Sequence, residues 1–333
     1  MTFPLGILDQ SPIVSGATPS DAVRATLALV KRAEALGYER YWLAEHHAMR
    51  GLADASPEVL LARLTAETSR IRLGSGGIML PHYSAFKIAE NFRMLEALAP
   101  GRIDLGVGRA PGGTRLVSAA LESRDPADFP AQIAAVLAYL DDRTPEASRF
   151  AGLPAMPSGT SSPELWLLGS SEYGALLAAD MGLPYTYAHF ISGDATDVTR
   201  AYRERFRPSR YLAKPRLTVA VAALVAVTDQ EAERLALPVA LWRMRLLRGY
   251  SGPVPTVAEA ERYPWTPLER YETAQTRRVI AGSAQAVRSK LETLVHAHAA
   301  DEAMIVTIAP DYASRERSYE LLADAFAMRE RAA

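Results

Sequence analysis

The chain has 333 residues, 49% of them apolar and 23% charged, a balance that supports one large buried core. α/β barrels reach this length as one unit, so a single domain over 1–333 is expected. A net charge of −1 offers no electrostatic footprint for nucleic acid or an anionic membrane, and zero cysteines remove disulfides, thiolate metal sites and cysteine nucleophiles. No run approaches a membrane-spanning length and no basic-then-apolar leader opens the chain, so a cytoplasmic protein is expected.

Short β-branched or apolar runs alternate with segments of helical period along the whole chain. The runs fall near 3–8, 40–44, 71–75, 102–107, 164–168, 184–188, 216–227 and 303–308. Strands separated by helices imply βαβ units and a parallel sheet, and eight units suggest closure into a (β/α)8 TIM barrel. The helices carry their own punctuation. Thr18-Pro19-Ser20-Asp21 reads as an N-cap with proline at the first helical position; Val23, Leu27 and Val30 follow at helical spacing, and Gly37 ends the element. Ser56-Pro57-Glu58 opens the next helix, and a third runs through Ile88, Phe92 and Leu95 to Pro100-Gly101. Thr228 with Glu231 resembles a capping box, and Ser283 precedes a stripe of Val287, Leu291 and Leu294. Three stretches break the rhythm as loop insertions: 110–128 and 142–163, which flank a helix at 129–141, and 247–276.

In such a barrel, polar residues just past the carboxyl ends of the strands face the active-site mouth. Those positions hold Asp9-Gln10-Ser11, Glu45-His46-His47, Ser75-Gly76-Gly77, Gly108-Arg109, Gly169-Ser170-Ser171 and His189. Adjacent side chains on an extended segment point to opposite sides, so only one of His46 and His47 can face the axis, where it could act as general acid or base. A loop histidine with local hydrogen bonds is the competing reading. Two neighbouring strand histidines reach one ion poorly, so no metal is expected. Glycines at 74, 76 and 77 would let a flat ligand approach the backbone, although a tight turn explains them equally. Gly106-Val107-Gly108-Arg109 is a GxG followed by a cation, without the third glycine of a dinucleotide fingerprint. Gly169-Ser170-Ser171 precedes a helix, a natural phosphate site that Arg109 could complete. His47, His82 and His189 are weaker candidates for the substrate pocket.

These residues together resemble the bacterial luciferase-like flavin monooxygenases. The similarity rests on Gly6-Ile7-Leu8-Asp9-Gln10-Ser11-Pro12, Trp42-Leu43-Ala44-Glu45-His46-His47, Leu73 to Pro81, Pro100 to Arg109, Leu168-Gly169-Ser170-Ser171 and Gly282-Ser283. It implies a TIM barrel that binds reduced FMN transiently, supplied by a separate flavin reductase, and that uses O2 to oxidise an organic small molecule. By position it places Glu45, Ser75 and Gly76 near the flavin ring, and the strand-end residues Asp9, Gly108 and Gly169 are further cofactor-binding candidates. It gives the phosphate to Arg109 and Ser171 and makes His46 the catalytic histidine, with Ser170 a further cofactor-binding candidate. It also implies a homodimer paired through helices near 56–69 and 84–98. Gly174 stands where many relatives carry Ser or Thr, and Glu172 adds negative charge nearby, both of which lower the expected FMN affinity. A deazaflavin-dependent hydride-transfer oxidoreductase and a non-catalytic flavin-binding protein are the alternatives on the same barrel.

Overall fold

The computed structural model describes residues 3–143, 150, 152–276 and 278–328. In chain order the elements are β1 (Leu5–Asp9), α1 (Pro19–Ala35), β2 (Arg40–Leu43), α2 (Pro57–Glu67), β3 (Arg72–Met79), α3 (Ala85–Leu98), β4 (Ile103–Gly108), α4 (Arg115–Ala120) and α5 (Phe129–Leu140). They continue with β5 (Glu164–Gly169), α6 (Glu172–Met181), β6 (Tyr185–Ala188), α7 (His189–Ser192), α8 (Thr196–Arg205), β7 (Leu217–Ala226) and α9 (Asp229–Leu247). The last are α10 (Val257–Arg262), α11 (Pro267–Thr276), β8 (Val279–Ser283), α12 (Ala284–Ala297), β9 (Glu302–Val306) and α13 (Tyr312–Ala325).

β1 to β7 pair in parallel in sequence order, and β9 closes the ring between β7 and β1. This is the expected TIM barrel, and each of the eight expected runs is a barrel strand. β8 is an addition to that expectation: it pairs with Ala222–Ala226 of β7, beyond the stretch covered by β6.

Side-chain alternation organises the core. Tyr41 and Leu43, Leu165 and Leu167, and Ala303 and Ile305 point outward, into the main core between sheet and helices. The residues between them, Trp42, Trp166 and Met304, point inward and pack with Leu8, Ala44, Ala220 and Val306 in a second cluster inside the barrel. Below that cluster, Arg40 donates to Asp104 Oδ2 at 2.7 Å and to Glu302 Oε1 at 2.6 Å, and its guanidinium lies 4.9 Å from the centre of the Trp166 ring. Trp42 Nε1 donates to the same Asp104 oxygen at 2.9 Å. The amino-terminal end of the barrel is therefore plugged by paired charges under two tryptophans, which closes the interior from that side.

The helix punctuation reads through to structure. Thr18 and Asp21 form a reciprocal capping box at α1, and Gly37 follows its end at φ +84°. Thr228 accepts from Glu231 N at α9. Ser56 and Ser283 occupy N-cap positions but make no side-chain cap bond.

The insertions hold more regular structure than expected. α4 lies within 110–128, and the stretch 247–276 carries α10 and α11. Both of those helices open on capping boxes, Thr256 with Glu259 and Thr266 with Glu269. Of 142–163, residues 144–149 and 151 lie outside the described set. Among the described residues, no helix is long and apolar enough to cross a membrane.

Candidate active site

A cavity of about 290 Å³ opens on the barrel axis at the carboxyl ends of the strands, where barrel enzymes keep their chemistry. A larger cavity, about 600 Å³, lies off the axis among α9, α11 and the start of β8. The axial cavity is the candidate because it collects residues from β1 to β7 and β9, including most of those singled out by position.

Alternation decides which of the strand-end residues reach it. On β2 and its continuation, Trp42, Ala44 and His46 face the cavity. Glu45 and His47 take the opposite parity and face outward between loops. Glu45 is fully buried: Oε1 bonds His47 Nε2 at 2.6 Å and accepts from the Tyr83 hydroxyl at 2.9 Å, while Oε2 accepts from Met79 N at 2.9 Å. That carboxylate fixes the loops flanking the cavity without lining it.

His46 is the one histidine of the described cavity wall. Its backbone N–H donates to the Asp54 carbonyl at 3.1 Å, which orients the residue, while Nδ1 is buried with no partner. Burial pushes its pKa down to about 4, with His47 adding to the effect. Near neutrality His46 is therefore an uncharged imidazole with a free ring nitrogen, ready to take up or relay a proton.

The same parity moves other expected residues away from the cavity. On β1, Leu8 and Gln10 line it and Asp9 turns outward. The Asp9 carboxylate accepts from Ser11 N at 2.6 Å, Thr26 Oγ1 at 2.8 Å, the Tyr41 hydroxyl and the Arg315 guanidinium. Burial alone would raise its pKa, but Arg315 and these donors hold it below the usual carboxylate value. Asp9 ties β1 to α13 and does not line the cavity. Ser75 also faces outward, its hydroxyl donating to Gly106 O at 2.8 Å. His47 and His82 stack edge to face at 5.6 Å, and His82 is held by Ser123 and the Pro111 carbonyl. His189 turns away while its neighbours Ala188 and Phe190 line the wall. None of the three weaker histidine candidates opens on the cavity.

The glycines divide into two kinds. A Cβ at Gly76 would lie 2.4 Å from Leu8 Cδ1, and one at Gly106 would lie 2.1 Å from Ser75 O, so barrel packing itself demands glycine there. At Gly108 the nearest heavy atom to a Cβ is Met79 Sδ at 3.8 Å, so that position borders open space. β3 also carries a bulge between Gly76 and Ile78, beside the cavity.

Opposite His46, Gly169, Ser170, Ser171, Tyr173 and Gly174 form the far wall. Ser171 is the N-cap of α6 but its hydroxyl makes no cap bond, so it is available to a ligand together with the first amides of the helix. The exposed Arg109 guanidinium sits 4.2 Å from the centre of the Tyr173 ring, which brings a fixed cation to that helix end. Glu172 is exposed and does not line the cavity. Sequence reasoning missed Thr186, whose buried hydroxyl on the cavity wall has no partner. It also missed Asp54, whose carboxyl is raised to about 7 by burial and by the acids Asp9, Glu58 and Glu45.

The family model for luciferase-like monooxygenases matches residues 3–302. The chain belongs to that family. It is 36% identical to the N-acetyl-S-alkylcysteine monooxygenase of Bacillus subtilis over 96% of this chain and 97% of that one. The solved structure of apo-MsnO8 superposes with a TM-score of 0.91 at 38% identity, covering 99% of both chains. At the level of fold alone, the barrel is shared with an oxygenating component of 3,6-diketocamphane monooxygenase of Pseudomonas putida in complex with FMN (TM-score 0.72, 19% identity, 98% of each chain). It is shared equally with an F420-dependent secondary alcohol dehydrogenase (TM-score 0.70, 16% identity, 98% of this chain and 99% of that one).

Proposed function

We propose that this luciferase-like monooxygenase uses reduced FMN, supplied by a separate flavin reductase, to insert one atom of O2 into an organic substrate. The observation that carries the reading is the axial cavity itself, which sets a neutral His46 opposite an unspent helix N-terminus flanked by Ser170, Ser171 and Arg109. A phosphorylated ring system matches that layout. Arg109, the serine hydroxyls and the α6 amides would hold the phosphate, and Gly108 leaves space for a flat ring against β4. The flavin, when bound, supplies the electrons and the position at which O2 reacts. His46 accepts or returns the accompanying proton at its free nitrogen, and Leu8, Phe190, Ile191 and Met304 keep bulk water from the reacting centre. The relative acting on N-acetyl-S-alkylcysteines supports a small organic substrate. Val59 on α2 and Met94 and Leu98 on α3 expose apolar side chains, which supports a homodimer paired through those helices.

The test is anaerobic titration of the protein with reduced FMN and with reduced riboflavin, followed by O2. Arg109→Ala should weaken FMN binding about tenfold, the value of one charge-assisted hydrogen bond, and leave riboflavin binding unchanged. His46→Gln should retain FMN binding and lose oxygen transfer to substrate. Equal loss for both flavins in Arg109→Ala would remove the phosphate assignment. Wild-type activity in His46→Gln would remove the proton role. Tight binding of a deazaflavin with no oxygen chemistry would favour hydride transfer instead, and retention of oxidised FMN with neither reaction would favour a flavin-binding protein.

A further inference from the structure

We propose that His189, Asp194 and His298 form a binding site for a divalent transition-metal ion of the zinc type, on the outer wall of the barrel and separate from the axial cavity. One ligand atom from each of the three residues lies within 4.8 Å of the others, the only such group among the described residues. His189 and His298 are 94% and 98% buried by their exposures of 6% and 2%, while Asp194 is exposed. His189 is brought there by its outward parity at the end of β6, and His298 by the C-cap of α12.

The ring nitrogens point to a ligand. His298 Nδ1 shares a 3.0 Å hydrogen bond with Thr199 Oγ1, and its Nε2 is buried with no partner. Leaving a buried polar atom unmatched costs free energy, so its persistence asks for something to fill the gap. An outer hydrogen bond to one ring nitrogen is also how ligating histidines have their other nitrogen aimed at an ion. His189 Nε2 lies 2.9 Å from Asp194 Oδ1, while its Nδ1 is buried without a partner. The His189–Asp194 contact occupies only one nitrogen of His189 and leaves His298 Nε2 unexplained. An ion between the three gives His298 Nε2 a partner and joins it to His189 and Asp194. Burial, then neighbouring His189, lowers the pKa of His298, which favours the neutral imidazole that binds metal.

Two nitrogens and one carboxylate are a donor set for Zn²⁺, Co²⁺ or Ni²⁺ rather than for the oxygen-seeking Ca²⁺ or Mg²⁺. An open groove of about 510 Å³ adjoins His189 and Asp194 and gives a route for entry and room for water as a fourth ligand. Arg278 and Lys290 also line that groove, and Arg278 packs against Gly193. Their charge opposes any cation, so affinity must come from imidazole coordination rather than from field strength. The consequence for the enzyme is positional. His189 opens α7, and the next two residues, Phe190 and Ile191, are wall of the axial cavity.

The experiment uses the full chain, stripped with chelator and titrated with Co²⁺ followed by visible absorption, then with Zn²⁺ by calorimetry. One equivalent should bind, giving the intense bands of a low-coordinate Co²⁺ site that Zn²⁺ abolishes. His298→Gln and Asp194→Asn should each weaken binding at least tenfold, on the order of the 10–100-fold expected for Thr199→Ala, which acts only through His298. His296→Gln, on the exposed face of α12, should change nothing. Circular dichroism verifies folding, and the Thr199 variant carries the test if a ligand variant does not fold. Absence of a stoichiometric site, or one that survives His298→Gln and Asp194→Asn together, overturns the proposal.

Discussion

Asp54 offers the sharpest quantitative test, because its environment is set by position rather than by any ligand. Its side chain is 4% exposed; Oδ1 accepts from Ser56 N at 3.0 Å, and Oδ2 is buried with no partner. Burial first, and then the acids Asp9, Glu58 and Glu45, raise its pKa from 3.8 to about 7. The native protein therefore keeps a proton that the unfolded chain has already lost. Stability from this group is fully present below pH 3.8 and is lost as pH rises through about 7. At about 1.4 kcal/mol per pH unit, the interval amounts to about 4 kcal/mol. With an unfolding entropy of about 2.1 cal/mol/K per residue over the chain, this corresponds to about 6 °C in Tm. Asp54→Asn removes the titration while keeping the acceptor for Ser56. The Tm of the variant minus that of the wild type, measured by scanning calorimetry at half-unit steps, should therefore climb by about 6 °C between pH 4 and pH 8. His46 titrates with the opposite sign, since its pKa is lowered and its contribution is lost as pH falls from 6.5 towards about 4. It is common to both proteins and cancels in the difference. A difference flat to within about 1 °C, or one that declines with pH, would refute the reasoning.

Three other substitutions probe the barrel mouth and its supports. Gly76→Ala places a Cβ 2.4 Å from Leu8 Cδ1 and 3.1 Å from Trp42 Cβ, so it should destabilise by about 1–3 kcal/mol in urea unfolding; an effect below about 0.5 kcal/mol would show that the inner cluster yields. Gly174→Ser is different in kind, because its Cβ meets nothing closer than 3.7 Å. It should fold as the wild type and tighten FMN binding about fivefold by adding a hydroxyl at the α6 terminus, and unchanged affinity by fluorescence titration would place the phosphate elsewhere. Arg315→Met removes the cation at 2.5 Å from the fully buried Asp9 and should cost about 3–5 kcal/mol, with Asp9→Asn in the same background recovering much of it; additive losses would mean the pair is not coupled.

The barrel was legible because each strand is a run of apolar residues bounded by capping and turn signals, and those signals are local. β8 was missed for a local reason too: Val279–Ser283 is short and merges with the helix it precedes. The helices α10 and α11 were missed although their capping boxes, Thr256 with Glu259 and Thr266 with Glu269, stand in the sequence. Their amphipathic period spans too few turns to be recognised, and the caps alone mark the starts.

The site was legible to the level of strand ends but not of side-chain direction, and one rule separates the two. Leu8, Trp42 and Trp166 fill the barrel, so every second residue from each continues inward: Gln10 on β1, Ala44 and then His46 on β2, Leu168 and then Ser170 on β5. The same count sends Asp9, Glu45, Ser75 and His189 outward, where three of them make the ion pairs or hydrogen bonds that brace the wall and His189 meets Asp194. Applied to β2 alone, alternation already separates His46 from His47; applied to every strand, it separates cavity from support. What no count along the chain can supply is Thr186 left without a partner, or the meeting of His189 with His298 across more than a hundred residues, since both depend on which helices close over the sheet. Side chains that bear chemistry and side chains that hold them in place thus alternate along the same strand ends. A substitution at Glu45 or Asp9 should therefore act on stability and geometry before it acts on turnover, whereas one at His46 or Ser170 should do the reverse.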